Sequence, residues 1–116
     1  IPIWVVGAWP SVKSMRRVIS YDGLIPNVLD DKGKVKMSPP TADEIREMKE
    51  FITANRKQNT PFDIIMEGQT PGDDRQGALD IIDPYAQAGA TWWIEAHWDT
   101  LELEQVLARI KQGPPI

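Results

Sequence analysis

Four times along this chain a short apolar run gives way to a helical pattern, and that alternation constrains the fold more than any other feature. The first run is Ile3-Trp4-Val5-Val6. It is continuous, as in a parallel strand covered on both faces. Strand one is placed at 2–7 and ends at Gly7-Ala8-Trp9-Pro10; Ser11 then caps a short helix bearing Val12, Met15, Val18 and Ile19. Asp22-Gly23 opens a short strand, Leu24-Ile25, which Pro26-Asn27 closes. The polar stretch from Asp30 to Pro40 reads as a solvated excursion at one end of the sheet.

Thr41 followed by Glu44 is a capping box, and Ile45, Met48 and Ile52 continue the helix at its own period. Strand three is placed at 62–66 and stops at Glu67-Gly68. The next helix covers 73–88, with Leu79, Ile82 and Tyr85 as its buried stripe, a bend at Pro84 and Gly89 beyond its end. Strand four is placed at 90–96 and the last helix at 100–112. There Leu103, Val106, Leu107 and Ile110 form an amphipathic pattern, Arg109 and Lys111 suit the negative end of the dipole, and Gly113-Pro114 is the stop.

Strands alternating with helices imply an α/β fold with a parallel sheet and right-handed crossovers. The chain has 116 residues, enough for one domain over 1–116. A complete (βα)₈ barrel needs roughly 200–250 residues. Four consecutive βα units therefore make half of a TIM-type barrel, or else a small open sheet with helices on both faces.

Composition removes several classes of function. The net charge of −4 argues against a nucleic-acid backbone binder. Without cysteine there is no disulfide scaffold, no thiolate zinc site and no thiol nucleophile. No apolar run reaches the ~18–20 residues of a membrane span. Ile-Pro-Ile-Trp has neither the basic nor the apolar region of a signal peptide, so a cytoplasmic location is the default expectation. Ile1 in place of Met leaves this end a processed terminus, a cloning boundary or a cut inside a longer chain.

Ligands of parallel α/β folds sit at the carboxyl ends of the strands. That rule selects Gly7, Ala8, Trp9 and Ser11, then Pro26 and Asn27, Glu67 and Gly68, and Glu95, His97 and Asp99. Gly7-Ala8 before a helix start at Ser11 suits an anion, because small residues let backbone N–H groups approach it. Equally, Gly7 only makes a tight turn. Trp93, Glu95 and His97 alternate onto one face, so Glu95 and His97 are candidates for a proton-transfer pair at the strand mouth. With Glu67 and Asp99 they form a candidate divalent-metal set, weakened because the chain has only one histidine. Otherwise His97 is a partly exposed loop residue beside Trp98. Trp92 and Trp93 point to opposite faces, one onto helices and the other toward the barrel interior or a ligand, with core packing the expected role of both. Asp73-Asp74 reads as a favourable charge pair at a helix start, and Asp30-Asp31-Lys32-Gly33-Lys34 as a solvated turn.

Three segments together carry a family resemblance. Pro2-Ile-Trp-Val-Val-Gly7, Tyr21-Asp22-Gly23-Leu-Ile-Pro26 and Ala88-Gly-Ala-Thr-Trp-Trp-Ile-Glu95 resemble, in order and spacing, the C-terminal half of luciferase-like flavin-dependent oxidoreductases and monooxygenases. The likeness covers essentially the whole chain and the last four βα units of the family's barrel. It implies a (βα)₈ barrel that binds FMN, or alternatively a deazaflavin coenzyme, at the strand carboxyl ends and acts on a small organic substrate. It also implies that Gly7, Ala8, Trp9 and Ser11 belong to the cofactor-phosphate loop, with Glu95 and His97 lining the mouth. Many members have Gly, Ser or Thr where this chain has Trp9-Pro10. That leaves the backbone of Gly7 and Ala8, with Ser11 or Ser14, as phosphate donors. Residues contacting the flavin ring lie largely in the family's other half.

Half a barrel has two strand edges and one interior face without cover. The expected partners are a second copy of the chain or a separate N-terminal half-barrel, with no nucleic acid and no membrane. Two further functions stand beside the oxidoreductase: a non-catalytic α/β module for ligand binding or assembly, and a barrel-type metal hydrolase using Glu67, Glu95, His97 and Asp99.

Overall fold

The computed structural model describes residues 1–99 and 102–115. Its elements alternate throughout: β1 (Trp4–Trp9), α1 (Val12–Val18), β2 (Gly23–Val28), α2 (Ala42–Asn55), β3 (Asp63–Gly68), α3 (Arg75–Ala88), β4 (Trp92–Glu95) and α4 (Leu103–Gln112). The four strands form one parallel sheet in the order β1-β2-β3-β4. The expected α/β class and the four βα units are therefore present, in an arrangement compatible with half of a barrel.

The register sorts the strands onto two unlike faces, because side chains alternate along each strand. Val5, Gly7 and Trp9 lie level with Leu24, Pro26 and Val28, and Leu24 lies level with Ile64. On this face Leu24, Val28, Ile64 and Met66 join Met15 and Val18 of α1, Ile45, Met48 and Ile52 of α2, and Ala88 of α3 in one buried cluster. Trp93 packs at its margin and tilts against Tyr85, ring centroids 6.1 Å apart. The opposite face carries Val6, Ile25, Ile65, Trp92 and Ile94. Val6, Trp92 and Ile94 are exposed there, and only Ile65 is deeply buried. Trp4 tilts against Trp92 at 5.4 Å on that same face. Trp92 and Trp93 thus part onto opposite faces, as the alternation requires.

All four strands differ in their bounds from the sequence expectation, β3 running on through Gly68 and β4 covering only Trp92–Glu95, and for β1 and β2 the difference has a physical cause. β1 runs on to Trp9, so Gly7 and Ala8 are strand residues paired with Pro26 and Asn27, not the turn that follows it. Gly7 is required by packing: a Cβ there would lie 2.6 Å from Leu24 Cδ1 and 2.7 Å from Val18 Cγ2. β2 continues through Pro26, although proline donates nothing to a ladder. Its pairing with β3 covers only Gly23 and Leu24, and the missing donor falls on that side, beyond the paired stretch.

The helix starts follow their caps. Ser11 Oγ accepts from Ser14 N–H, and Thr41 and Glu44 form the reciprocal box. Asp74 Oδ1 accepts from Gly77 N–H, so Asp74 alone of the Asp73-Asp74 pair is the helix cap. α3 runs through Pro84 and ends at Gly89, whose φ of 122° favours glycine. Leu79, Ile82 and Tyr85 are only half-buried; the deeply buried α3 residues are Ala78 and Ala88. α4 has no buried residue, so its apolar pattern is not a core stripe. The expected start of that helix at Thr100 lies outside the described residues. No helix among the described residues is long and apolar enough to cross a membrane.

Candidate functional site

The carboxyl ends of β2, β3 and β4 open onto a cleft of about 630 Å³. Its floor is Ile25 and Ile65, with Asn27 and Glu67 one turn of the pleat above them. One wall is the segment from Val35 to Pro40, the other Ala96, Trp98 and Asp99. The polar excursion thus forms a side of the cleft. It is ordered by local chemistry: Asp30 Oδ1 accepts from Lys32 N–H at 2.8 Å and Lys34 N–H at 3.0 Å, and Leu29 bridges Val35. Lys36 N–H then donates to Val28 O at 2.8 Å, returning the chain to the end of β2. Tyr85 anchors the exit by donating its hydroxyl to Pro40 O at 2.8 Å. Burial, then the nearby charge of Glu44, push the Tyr85 phenol above its ordinary value, so it stays a donor.

Across the cleft, Trp98 Nε1 donates to Glu67 Oε2 at 3.2 Å, and Gln69 Nε2 donates to Asp99 Oδ1. Trp98 and Met37 nevertheless offer most of their apolar surface to solvent. The combination is an apolar floor, two apolar side chains at the rim and a few convergent polar groups. That is the ordinary makeup of a small-molecule pocket. Pro26, Asn27, Glu67, Gly68 and Asp99, which the strand-end rule selected, all line it. Lys36, Met37 and Trp98 were not selected, because only the fold of the excursion and of the β4 exit brings them there.

Glu95 and His97 are placed differently from expectation. Gly68 and Glu95 lie level in the register, and Glu67 lies level with Ile94, so Glu67 and Glu95 project from opposite faces of the sheet. Glu95 turns away from the cleft, toward Thr70 and α4. Thr70 donates to it twice, from N–H to Oε1 and from Oγ1 to Oε2, each at 2.7 Å, and Trp93 Nε1 donates to Oε2 at 3.2 Å. Arg109 Nε stands 3.6 Å from Oε1. Burial alone would raise the Glu95 pKa, but the Thr70 and Trp93 hydrogen bonds and the Arg109 charge together hold it below the usual range. A carboxylate so satisfied is kept ionised and fixed. His97 Nε2 lies 3.4 Å from Glu95 Oε1, and this buried nitrogen has no hydrogen-bond partner among the described residues. Both residues line a second hollow, about 510 Å³ between β4 and α4, and not the mouth cleft. Thr70 and Arg109 complete this cluster. Sequence reasoning missed Thr70, which lies between the expected third strand and the next helix, and gave Arg109 only a role in the helix dipole.

The expected phosphate loop closes on itself. Ala8 N–H donates to Ser14 Oγ at 2.9 Å, and Ser11 N–H donates to Ala8 O at 2.9 Å. Ser11 Oγ accepts from Ser14 N–H at 3.3 Å, and Trp9 sets its ring edge-on to Phe51, 5.9 Å between centroids. Gly7 lies in the strand beneath α1. These four residues hold the β1–α1 connection and present no set of converging backbone donors, so they do not fit the phosphate of FMN or a deazaflavin.

Among the described residues no group of three or more histidine, aspartate or glutamate side chains is placed to hold a metal ion. The opposed faces of Glu67 and Glu95 are the geometric reason the hydrolase set does not assemble. Compared with family models, with curated proteins and with solved structures, the chain matches none.

Proposed function

We propose that this chain is the C-terminal half of a (βα)₈-barrel oxidoreductase of the luciferase-like, flavin- or deazaflavin-dependent kind. One observation carries the reading: four parallel strands in sequential order, helices α1–α3 packed on one face, and an apolar face left open on the other. An open α/β sheet of the doubly wound type covers both faces and reverses its strand order. Sequential order with one covered face is what a barrel wall requires. The resemblance of the three strand-opening segments to that family supplies the chemistry.

In this reading the cleft beyond β2–β4 is part of the barrel mouth, and the organic substrate enters over Met37 and Trp98. FMN or deazaflavin would supply hydride transfer or oxygen activation there, with its phosphate held by groups other than Gly7, Ala8, Trp9 and Ser11. What this chain contributes is an apolar floor, exclusion of water, and the Glu67–Trp98 hydrogen bond that sets one wall. Glu95 acts as a positioning residue for the β4 exit. The alternative of a non-catalytic binding module uses the same cleft without turnover.

The test is native mass spectrometry of the barrel completed with its other half, beside the chain alone. One retained flavin or deazaflavin per completed barrel, and none on the chain alone, is the expected result. A completed barrel that binds neither cofactor overturns the oxidoreductase reading. Retention of an organic ligand without turnover would favour the binding module.

A further inference from the structure

Helix α4 differs from the other three helices in how it is attached. α1, α2 and α3 each bury apolar residues in the chain's own core, and α4 buries none. Its anchor is polar: Arg109 donates from Nε to Thr70 O at 2.8 Å and from Nη2 to Thr70 Oγ1 at 3.2 Å. Meanwhile Leu103, Leu107 and Ile110 recur at i, i+4 and i+7, and Leu103 and Ile110 are 71% and 66% exposed. That spacing is the seam of a helix pair. The stripe is continuous with the hollow between β4 and α4, where Ile94 and Trp98 add apolar surface. Scattered apolar residues on a surface need no explanation, but a contiguous stripe on one helix does.

The charges flanking the stripe indicate what covers it. Glu104 stands in the first turn and Lys111 in the last, seven residues apart and so on the same flank of the seam. A seam acidic at one end and basic at the other is complementary to itself only when two copies run antiparallel. A two-fold contact through α4 leaves the free edge of β1 untouched.

We propose that two copies of this chain associate through α4, antiparallel about a two-fold axis. Leu103 then packs toward the partner's Ile110, and Glu104 faces the partner's Lys111. Leu103, Leu107 and Ile110 from each copy form the apolar seam of that contact. This pairing does not depend on the oxidoreductase reading, and it sets the oligomeric state whether or not a flavin is bound.

Sedimentation equilibrium on the whole chain, with native mass spectrometry beside it, tests the proposal. The expected species is about twice 13.1 kDa. Glu104→Lys and Lys111→Glu each turn two attractive pairs into repulsive ones and weaken association roughly tenfold. The combined swap restores the constant to within about threefold, because the pairs are re-formed with opposite sign. Leu107→Asp abolishes the dimer. The three substituted positions are exposed, and unchanged circular dichroism shows that the fold is kept. A chain that stays monomeric at hundreds of micromolar overturns the proposal, as it would if another half-barrel were the natural cover of α4. A dimer indifferent to the single reversals, or not restored by the combined swap, overturns it as well.

Discussion

Glu95 has three neighbours that act on its charge, Thr70, Trp93 and Arg109, and their balance against burial makes a pH prediction. Burial pulls the carboxyl pKa up; Thr70, Trp93 and Arg109 pull it down further, so the folded value lies below the unfolded one. A depressed folded value means the carboxylate's stabilising contribution is fully present above the unfolded pKa of about 4.3. It is lost as pH falls through the folded value. Glu95→Gln removes the charge and leaves one donor facing a donor, which costs about 1–3 kcal/mol near neutrality. In urea melts across pH, the gap between wild type and variant should stay constant at neutral pH and close in acid. Gly7 carries a second prediction. Its backbone is ordinary strand, so Gly7→Ala strains no dihedral and only forces a methyl against Leu24 and Val18, both fully buried. Overpacking of that kind costs about 1–3 kcal/mol, read as a lower melting temperature. A phosphate-loop glycine would have left the melting temperature unchanged. In the sequence Gly7 looked like a turn residue because strand-ending glycines usually are. Its actual constraint is the approach of α1, which no local pattern encodes.

At the scale of elements, the clearest start signal lies at Thr41. Thr41 Oγ1 accepts from Glu44 N–H at 3.1 Å, and Glu44 Oε1 accepts from Thr41 N–H at 3.0 Å. Thr41→Ala should lower stability by about 1 kcal/mol, and Glu44→Ala by less. In a double-mutant cycle the two losses should be less than additive, because each bond helps to orient the other. Caps of this type, and apolar residues at helical spacing on α1 and α2, were legible because they are local. Strand ends were less so. Pro26 looked like the close of β2, yet the strand passes through it because β3 has already departed. The apolar pattern of α4 was legible as a pattern, but its burial was not: periodicity shows that a face exists, not what covers it. In the same way the 30–40 excursion showed its polarity plainly, while its return to wall the cleft depends on the Asp30 turn and the Pro40–Tyr85 hydrogen bond.

For the molecule as a whole, the deciding feature is the difference between the two faces of one sheet. Rows of large apolar side chains on both faces are affordable only where both faces are covered. Here the helices cover one, and Val6, Trp92 and Ile94 of the other meet water. Val6 is the informative position, since it sits mid-strand on the edge strand and is 49% exposed. Val6→Lys removes little that the isolated chain buries, so its stability should change by no more than about 0.5 kcal/mol. In a closed eight-stranded barrel the same side chain points into a packed interior, where an unpaired ammonium is not tolerated. The variant chain should therefore melt like wild type yet fail to form the completed barrel, and with it lose any retained flavin in native mass spectra. A conservative Val6→Ile at the same position should allow both. If Val6→Lys completes a barrel as readily as wild type, the open face is not a barrel interior. The sheet then stands as an open α/β module whose apolar face serves a different contact.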